Sequence, residues 1–406
     1  MADGLVIVGG SYAAAQIAAA ARQAGYAEPI RMFSAEDVLP YQRPPLSKAF
    51  LTGNGEDKTL PLRADSFYRD QNIDVELNAP VAAIDRAARR IVLESGKTVA
   101  YDKLALAVGA RPRPLELPGA GLEGVFALRT LADARRIKES LAATSNVVVI
   151  GGGFIGLEVA SAAAKLGKQV TVLEAQERLL GRACPPVIAD WIAKLHAGHG
   201  VAIRCSARIA SLEGPGRVRA VKLADGSEIP AEVVIVGIGV LPNVELAQAA
   251  GLACDNGIVV DRFARTSDPD IVAAGDCTRF PSPYAEAPVR LESVQNATDQ
   301  SRSAVAAILG QEMPHENVPW FWSDQYDMKL QMTGLSQGHD VHAVRGSMDE
   351  GRFSVFYFKR GALIGTDSIN RPADHMLSRR LVAARAKVSP SQAEDASFDL
   401  KSLMPV

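Results

Sequence analysis

Short apolar runs and helical stripes alternate along the first three-quarters of the chain. Leu5–Val8 (LVIV) is an unbroken apolar run; Gly-Gly-Ser, an Ala-rich helical stretch and a second run, Ile30–Phe33, follow it. The same order returns from Val147 to Glu174 (VVVIGGGFIGLEVASAAAKLGKQVTVLE). Unbroken β-branched runs predict strands buried on both faces, and so parallel sheets with crossover helices. Two later runs, KLALAVGARP from Lys103 and VVIVGIGVLPN from Val233, each end in glycine, and IVAAGDC, ending at Cys277, echoes them. Two halves, each with a glycine turn and a later glycine-ended strand, imply two homologous nucleotide folds, with the IVAAGDC run returning to complete the first. From Pro319 the pattern becomes several short strands of mixed character, closed by a helix from about Ala373 to Arg385, which predicts a separate antiparallel unit. The tail after Ser389 reads as polar and irregular until Leu400.

The expected fold is therefore α/β: two Rossmann-like nucleotide-binding domains plus a C-terminal α+β domain with an antiparallel sheet. Pro112, Pro114 and Pro118 mark a linker. The expected division is 1–113 and 240–318 for the first nucleotide domain, 114–239 for the inserted second, and 319–406 for the last.

The glycine turns carry the first chemistry. Gly151 permits the turn, Gly153 lets backbone N–H groups approach a pyrophosphate, and Gly156 lets the helix pack on its strand. Glu174, 21 residues after Gly153, stands where a carboxylate takes both hydroxyls of an adenine ribose, and it would repel a 2′-phosphate, so NADH is favoured over NADPH. Ile155 and Glu158, in the first turns of that helix, and Gly239 complete the NAD set. The alternative is an ordinary Gly-rich turn with a solvated Glu174. In the first half Gly9 opens the turn, while Ser11 and Ala14 hold the places of the second and third glycines. Ser11 puts a side chain near the phosphates, and its hydroxyl is a possible donor to them. The acid after the second strand is Glu36 or Asp37, with Glu36 favoured.

Other segments add candidates. PYQRPPLSK (Pro40–Lys48) is a stiff Pro-Pro loop with a basic end; Lys48 beside a flat ring would favour negative charge on it, though a plain surface loop explains the same residues. Arg129 lies at a strand-to-helix join. Asp276 ends a buried strand at the carboxyl edge of a sheet, where α/β ligands bind, and Val294 opens a helix whose N–H groups would face an anion. Of Trp320 and Trp322, Trp322 is favoured as a flat wall for a ring.

Composition narrows the partners. With 406 residues and a net charge of −2, nothing argues globally for nucleic acid or an anionic membrane, and no apolar run is long enough to span a bilayer, so a cytoplasmic protein is expected. Cys184, Cys205, Cys254 and Cys277 show neither a CxxC nor metal-ligand spacing, so no metal site is expected.

GGSYAAAQ, PYQRPPLSK, LALAVGARP, LRTLADA, VVVIGGGFIGLEVA, GIGVLPN, AAGDC and PWFWSDQY occur in order across nearly the whole chain. Together they resemble the NADH-dependent ferredoxin reductases of bacterial oxygenase systems. The resemblance implies a glutathione-reductase-like fold, an FAD cofactor, NADH as substrate and a two-iron two-sulfur ferredoxin as partner, which in turn serves a haem monooxygenase. It also implies that Ala13, Glu36, Lys48, Val81, Arg129, Asp276 and Val294 lie along the FAD, with Trp322 near the ring. Family members commonly carry the ribose acid one position earlier, where this chain has Ala35.

In this layout Lys48 and Glu158 pair when nicotinamide is absent and separate when it binds. Relatives with a redox cysteine pair, or a single cysteine near the position of Pro45 and Leu46, have no counterpart here, so electrons must leave from the flavin itself. Ferredoxins of this kind are acidic, which makes Arg302 the candidate docking residue. A monomer or weak homodimer is expected. Reductases of ring-hydroxylating dioxygenases or of rubredoxin, an NADH oxidase and a redox-sensing flavoprotein are the other readings.

Overall fold

The computed structural model describes residues 3–404. Its contacts divide the chain into two compact units, Met1–Gln42 with Leu60–Arg111 and Leu241–Phe321, and Arg43–Thr59 with Pro112–Val240 and Trp322–Val406.

The first unit is built on a five-stranded parallel sheet in the order Ile271–Ala273, Lys103–Leu106, Leu5–Val8, Ile30–Phe33, Ile73–Glu76. Strand periodicity divides its core. Leu5 and Ile7 face the helices Tyr12–Gln23 and Val294–Ile308, and Val6 and Val8 face an antiparallel meander that begins at Val81–Asp85. Alanines on the first helix allow the close approach of the second: Ser301 Oγ donates to the carbonyls of Ala13 and Ala297 at 3.2 and 2.6 Å.

The second unit repeats the plan, in the order Ala202–Arg204, Gln169–Leu173, Asn146–Ile150, Val233–Val236, Val125–Ala127. It also holds most of a five-stranded antiparallel sheet, Trp320–Gln325, Met328–Gly334, Ala362–Ile369, Arg352–Lys359, Val341–Ser347 in spatial order, with helix Pro372–Ala383 on it. The sequence pattern separates these strands from the nucleotide fold; the contacts join them, because Met328, Leu330, Phe353, Val355 and Tyr357 share one apolar cluster with Leu157, Val159, Ile188 and Ile192. Leu51 is buried in the same cluster, which places the Arg43–Thr59 segment in this unit.

The tail departs from the irregular expectation. Ser389 and Gln392 form a capping box for helix Pro390–Glu394. The buried Arg345 guanidinium donates to the carbonyls of Ala393, Asp395, Ala396 and Phe398, and the tail is held there by backbone acceptors that a polar sequence pattern does not advertise. Among the described residues no helix is long and apolar enough to cross a membrane.

One buried acid in the antiparallel sheet ties stability to pH. Burial pushes the Asp367 carboxyl up to about 7, against the opposing effect of the hydrogen bond donated by Tyr357 Oη at 2.8 Å. A carboxyl raised on folding contributes most below its unfolded pKa, and that contribution is lost as pH rises toward 7. Asp367→Asn should therefore lower the melting temperature more at about pH 5 than at about pH 8, measured by calorimetry; a gap that widens with pH would contradict this assignment.

Candidate functional site

Each parallel sheet carries a glycine turn at the carboxyl end of a central strand. In the first unit the chain leaves Leu5–Val8 through Gly9, whose φ is +132° and where a Cβ would lie 2.2 Å from the Ala107 carbonyl oxygen. Ser11 then takes the N-cap position of helix Tyr12–Gln23 in extended conformation, without capping it through its side chain. Ala14 is fully buried in the third glycine's place, and Ala13 is buried beside it.

Glu36, past the end of Ile30–Phe33, accepts from Tyr41 Oη at 2.6 Å. Asp276 follows Gly275, whose amide is held by Gln300 Oε1 at 2.8 Å. Val294 is the first helical residue after Ser293, which caps the helix by accepting from the Asn296 amide at 3.0 Å. Val81 opens the meander. Gly9, Glu36 and Asp276 thus stand past the carboxyl ends of three strands in one sheet. The outer two of these strands are three steps apart, roughly 14 Å at the usual strand spacing, the scale of an extended dinucleotide rather than a single sugar.

The second unit tests the fit to a dinucleotide more sharply. At Gly151 (φ +105°) a Cβ would lie 2.4 Å from the Gly237 carbonyl oxygen, and at Gly156 it would lie 2.2 Å from that of Gly151, so both glycines are demanded by the protein's own backbone. Gly153 is different. Its φ of −81° suits any residue and its Cβ would meet nothing within 4 Å. Packing leaves this glycine unexplained, whereas a pyrophosphate laid on the backbone explains it. Ile155, in the next turn, is 47% exposed. Glu174 accepts from the Gly152 and Gln176 amides, 2.7 Å each, and each oxygen keeps capacity for a ribose hydroxyl. Gly239 follows strand Val233–Val236 with φ +98°.

The same helix, Phe154–Lys165, bears a buried polar cluster. The Glu158 side chain is 1% exposed and receives three donors: Lys48 Nζ at 2.7 Å and Ser47 Oγ at 2.5 Å on Oε2, and Ser323 Oγ at 2.7 Å on Oε1. A buried carboxylate is tolerated only when so supplied. The sequence pattern singled out Lys48, Glu158 and Trp322 but not Ser47 or Ser323. For Ser323 the one signal is register: Ser323 and Gln325, either side of Asp324, are the buried positions of strand Trp320–Gln325. Trp322, on the alternate face, is half-buried. Arg129 precedes the Thr130-capped helix Leu131–Ala142, and its carbonyl takes Arg43 Nη1 at 2.7 Å. Arg302, in the first unit, is exposed on helix Val294–Ile308 beside Asp299.

All four cysteines are free thiols, and burial raises each above the ordinary range, Cys277 to about 12. None is poised as a thiolate at neutral pH.

Residues 3–301 match the family model described as pyridine nucleotide-disulphide oxidoreductase, and residues 320–404 match that of the reductase C-terminal domain. The chain is 46% identical to rhodocoxin reductase of Rhodococcus erythropolis, over 98% of this chain and 93% of that protein. Among solved structures it is similar to the ferredoxin reductase for the CYP199A2 system from Rhodopseudomonas palustris, at a TM-score of 0.97 and 43% identity, covering 99% and 100% of the two chains. It is also similar to the reductase in the covalent putidaredoxin reductase–putidaredoxin complex, at 0.96 and 40%, covering 99% and 98%.

The glycine geometry separates a ligand role from a folding role. Gly156→Ala should destabilise by about 1–3 kcal/mol, since its methyl group strikes backbone. Gly153→Ala should leave the melting temperature close to the parent's and weaken dinucleotide binding several-fold by calorimetric titration; unchanged affinity would remove the pyrophosphate from this turn.

Proposed function

The chain belongs to the pyridine nucleotide-disulphide oxidoreductase family, with the C-terminal domain of its reductases, and we propose that it oxidises NADH and reduces a two-iron two-sulfur ferredoxin. The observation that carries this reading is a pair of glycine turns, each at the carboxyl end of a central strand of a parallel sheet, in a chain whose four cysteines are all free thiols. FAD, when bound, supplies acceptance of two electrons from the nicotinamide and their release one at a time to an iron–sulfur centre.

The protein's residues divide the remaining work. Gly9, Ser11, Ala13, Ala14, Glu36, Val81, Asp276 and Val294 would hold FAD from the first unit, and the family likeness adds Lys48, Arg129 and Trp322. Gly151, Gly153, Ile155, Gly156, Glu174 and Gly239 would hold NADH. Lys48 supplies positive charge where the ring gains electrons, and Glu158 neutralises it until the nicotinamide arrives. The likeness to reductases of named oxygenase systems supports a haem monooxygenase as the final consumer of the electrons.

Two substitutions test these roles. Lys48→Met should slow flavin bleaching by NADH by about tenfold or more in stopped flow, with bleaching at the parent's rate excluding Lys48 from the step. Arg302→Glu should lower ferredoxin reduction mainly at low ionic strength while ferricyanide reduction persists. Equal loss with both acceptors would sink the docking assignment.

A further inference from the structure

The hydrogen-bonded chain behind Glu158 continues past Ser323. Ser323 Oγ accepts from Gln325 Nε2 at 3.1 Å, Gln325 Oε1 meets His196 Nε2 at 2.8 Å, and His196 Nδ1 meets Tyr326 Oη at 3.2 Å. Glu158, Ser323, Gln325 and His196 are buried, and Tyr326 is half-buried.

Donor chemistry gives this chain a direction. A carboxylate accepts only, so the single Ser323 proton points at Glu158. Ser323 Oγ must then accept from the Gln325 amide nitrogen, which turns the amide oxygen toward His196. That oxygen accepts only, so His196 carries its proton on Nε2 and its Nδ1 receives the Tyr326 hydroxyl. Burial holds the imidazole below its ordinary pKa, in keeping with a neutral ring. Every donor from Tyr326 onward therefore points toward the Glu158 carboxylate.

The far end is anchored to the helix that bears the carboxylate. The Tyr326 amide donates to Ser161 Oγ at 2.7 Å, and Lys165 Nζ donates to the Tyr326 carbonyl at 2.7 Å. Glu158, Ser161 and Lys165 are spaced i, i+3, i+7 on helix Phe154–Lys165, so one helix face grips the hairpin at three points. The Tyr326 ring also stacks on His199, with centroids 3.7 Å apart. An amide passes no proton without tautomerising, so this chain transmits orientation and polarity rather than protons.

We propose that Ser323, Gln325 and His196 are positioning residues that keep the Glu158 carboxylate seated and charged without Lys48. The inference deepens the reading given above, in which Lys48 is released from Glu158 when the nicotinamide binds. With Lys48 withdrawn, one hydroxyl remains on each carboxylate oxygen, Ser47 on Oε2 and Ser323 on Oε1. Ser323 has one proton, and the amide behind it commits that proton to Glu158. If the amide offered an acceptor instead, the proton would be claimed from both sides, and the buried charge would depend on Lys48.

The test is a double-mutant cycle on the FAD-loaded protein without nucleotide, read by thermal unfolding. Lys48→Met combined with Ser323→Ala should melt below the sum of the single shifts by about 2 °C or more. Lys48→Met combined with Gln325→Glu, which keeps the shape of residue 325 and reverses its polarity, should do the same. Additive shifts in both cycles would overturn the proposal, because a packing role needs no Lys48. On the parent protein, nitrogen-15 histidine spectra should show His196 as the neutral Nε2–H tautomer, and the Nδ1–H tautomer would reverse the chain and overturn it too. Neither measurement involves NADH. A failure of the Lys48 reading shows separately, as an unchanged bleaching rate in Lys48→Met.

Discussion

The structure of the second unit depends on one buried charge. Glu158 draws its donors from two segments remote from its helix and from each other in sequence: the Pro44–Ser47 turn with Lys48, and strand Trp320–Gln325. Removing one partner of such a group leaves a charge without compensation, typically at about 3–5 kcal/mol. The carboxylate therefore specifies where the Pro-Pro loop and the C-terminal hairpin sit against the nucleotide fold. It does so in the first turns of the helix whose N-terminus faces the predicted pyrophosphate, so the fold's specificity and its chemistry draw on the same residue.

This explains why the C-terminal strands read as a separate domain from sequence and yet join the second unit in the structure. Hydrophobic periodicity shows that Phe353, Val355 and Tyr357 face inward, but not what lies opposite. The partner surface, Leu157, Val159 and Ile192, is more than 150 residues away in the chain. The glycine turns were legible because strand, turn, helix and strand follow one another in a single stretch of sequence. Gly151 answers to the Gly237 carbonyl past the neighbouring strand, Gly156 to the Gly151 carbonyl, and Gly153 to none of the chain's own atoms. Ser47, Ser323, Gln325 and His196 were not legible as one group, since they lie on a turn, a strand and a helix far apart in sequence, and a buried polar side chain carries no sign of its partners. The ordered tail escaped for the same reason: its acceptors are carbonyls, and only the remote Arg345 gives them a donor.

The family's name includes disulphide chemistry, and this chain has the fold with its four cysteines free. Burial raises the pKa of each of its thiols, most deeply at Cys184 and Cys277. What the two sheets retain is the nucleotide-binding plan, one glycine turn for each dinucleotide. In the proposed reading, electrons leave from the flavin and surface charge of the kind Arg302 carries steers the partner.

The most direct test is an anaerobic double-mixing stopped-flow trace: FAD-loaded protein against NADH, then against an oxidised two-iron two-sulfur ferredoxin. The account predicts rapid bleaching with NADH and little with NADPH, followed by recovery of the flavin spectrum as about two ferredoxins are reduced per NADH. Bleaching that persists in the presence of the ferredoxin would contradict it.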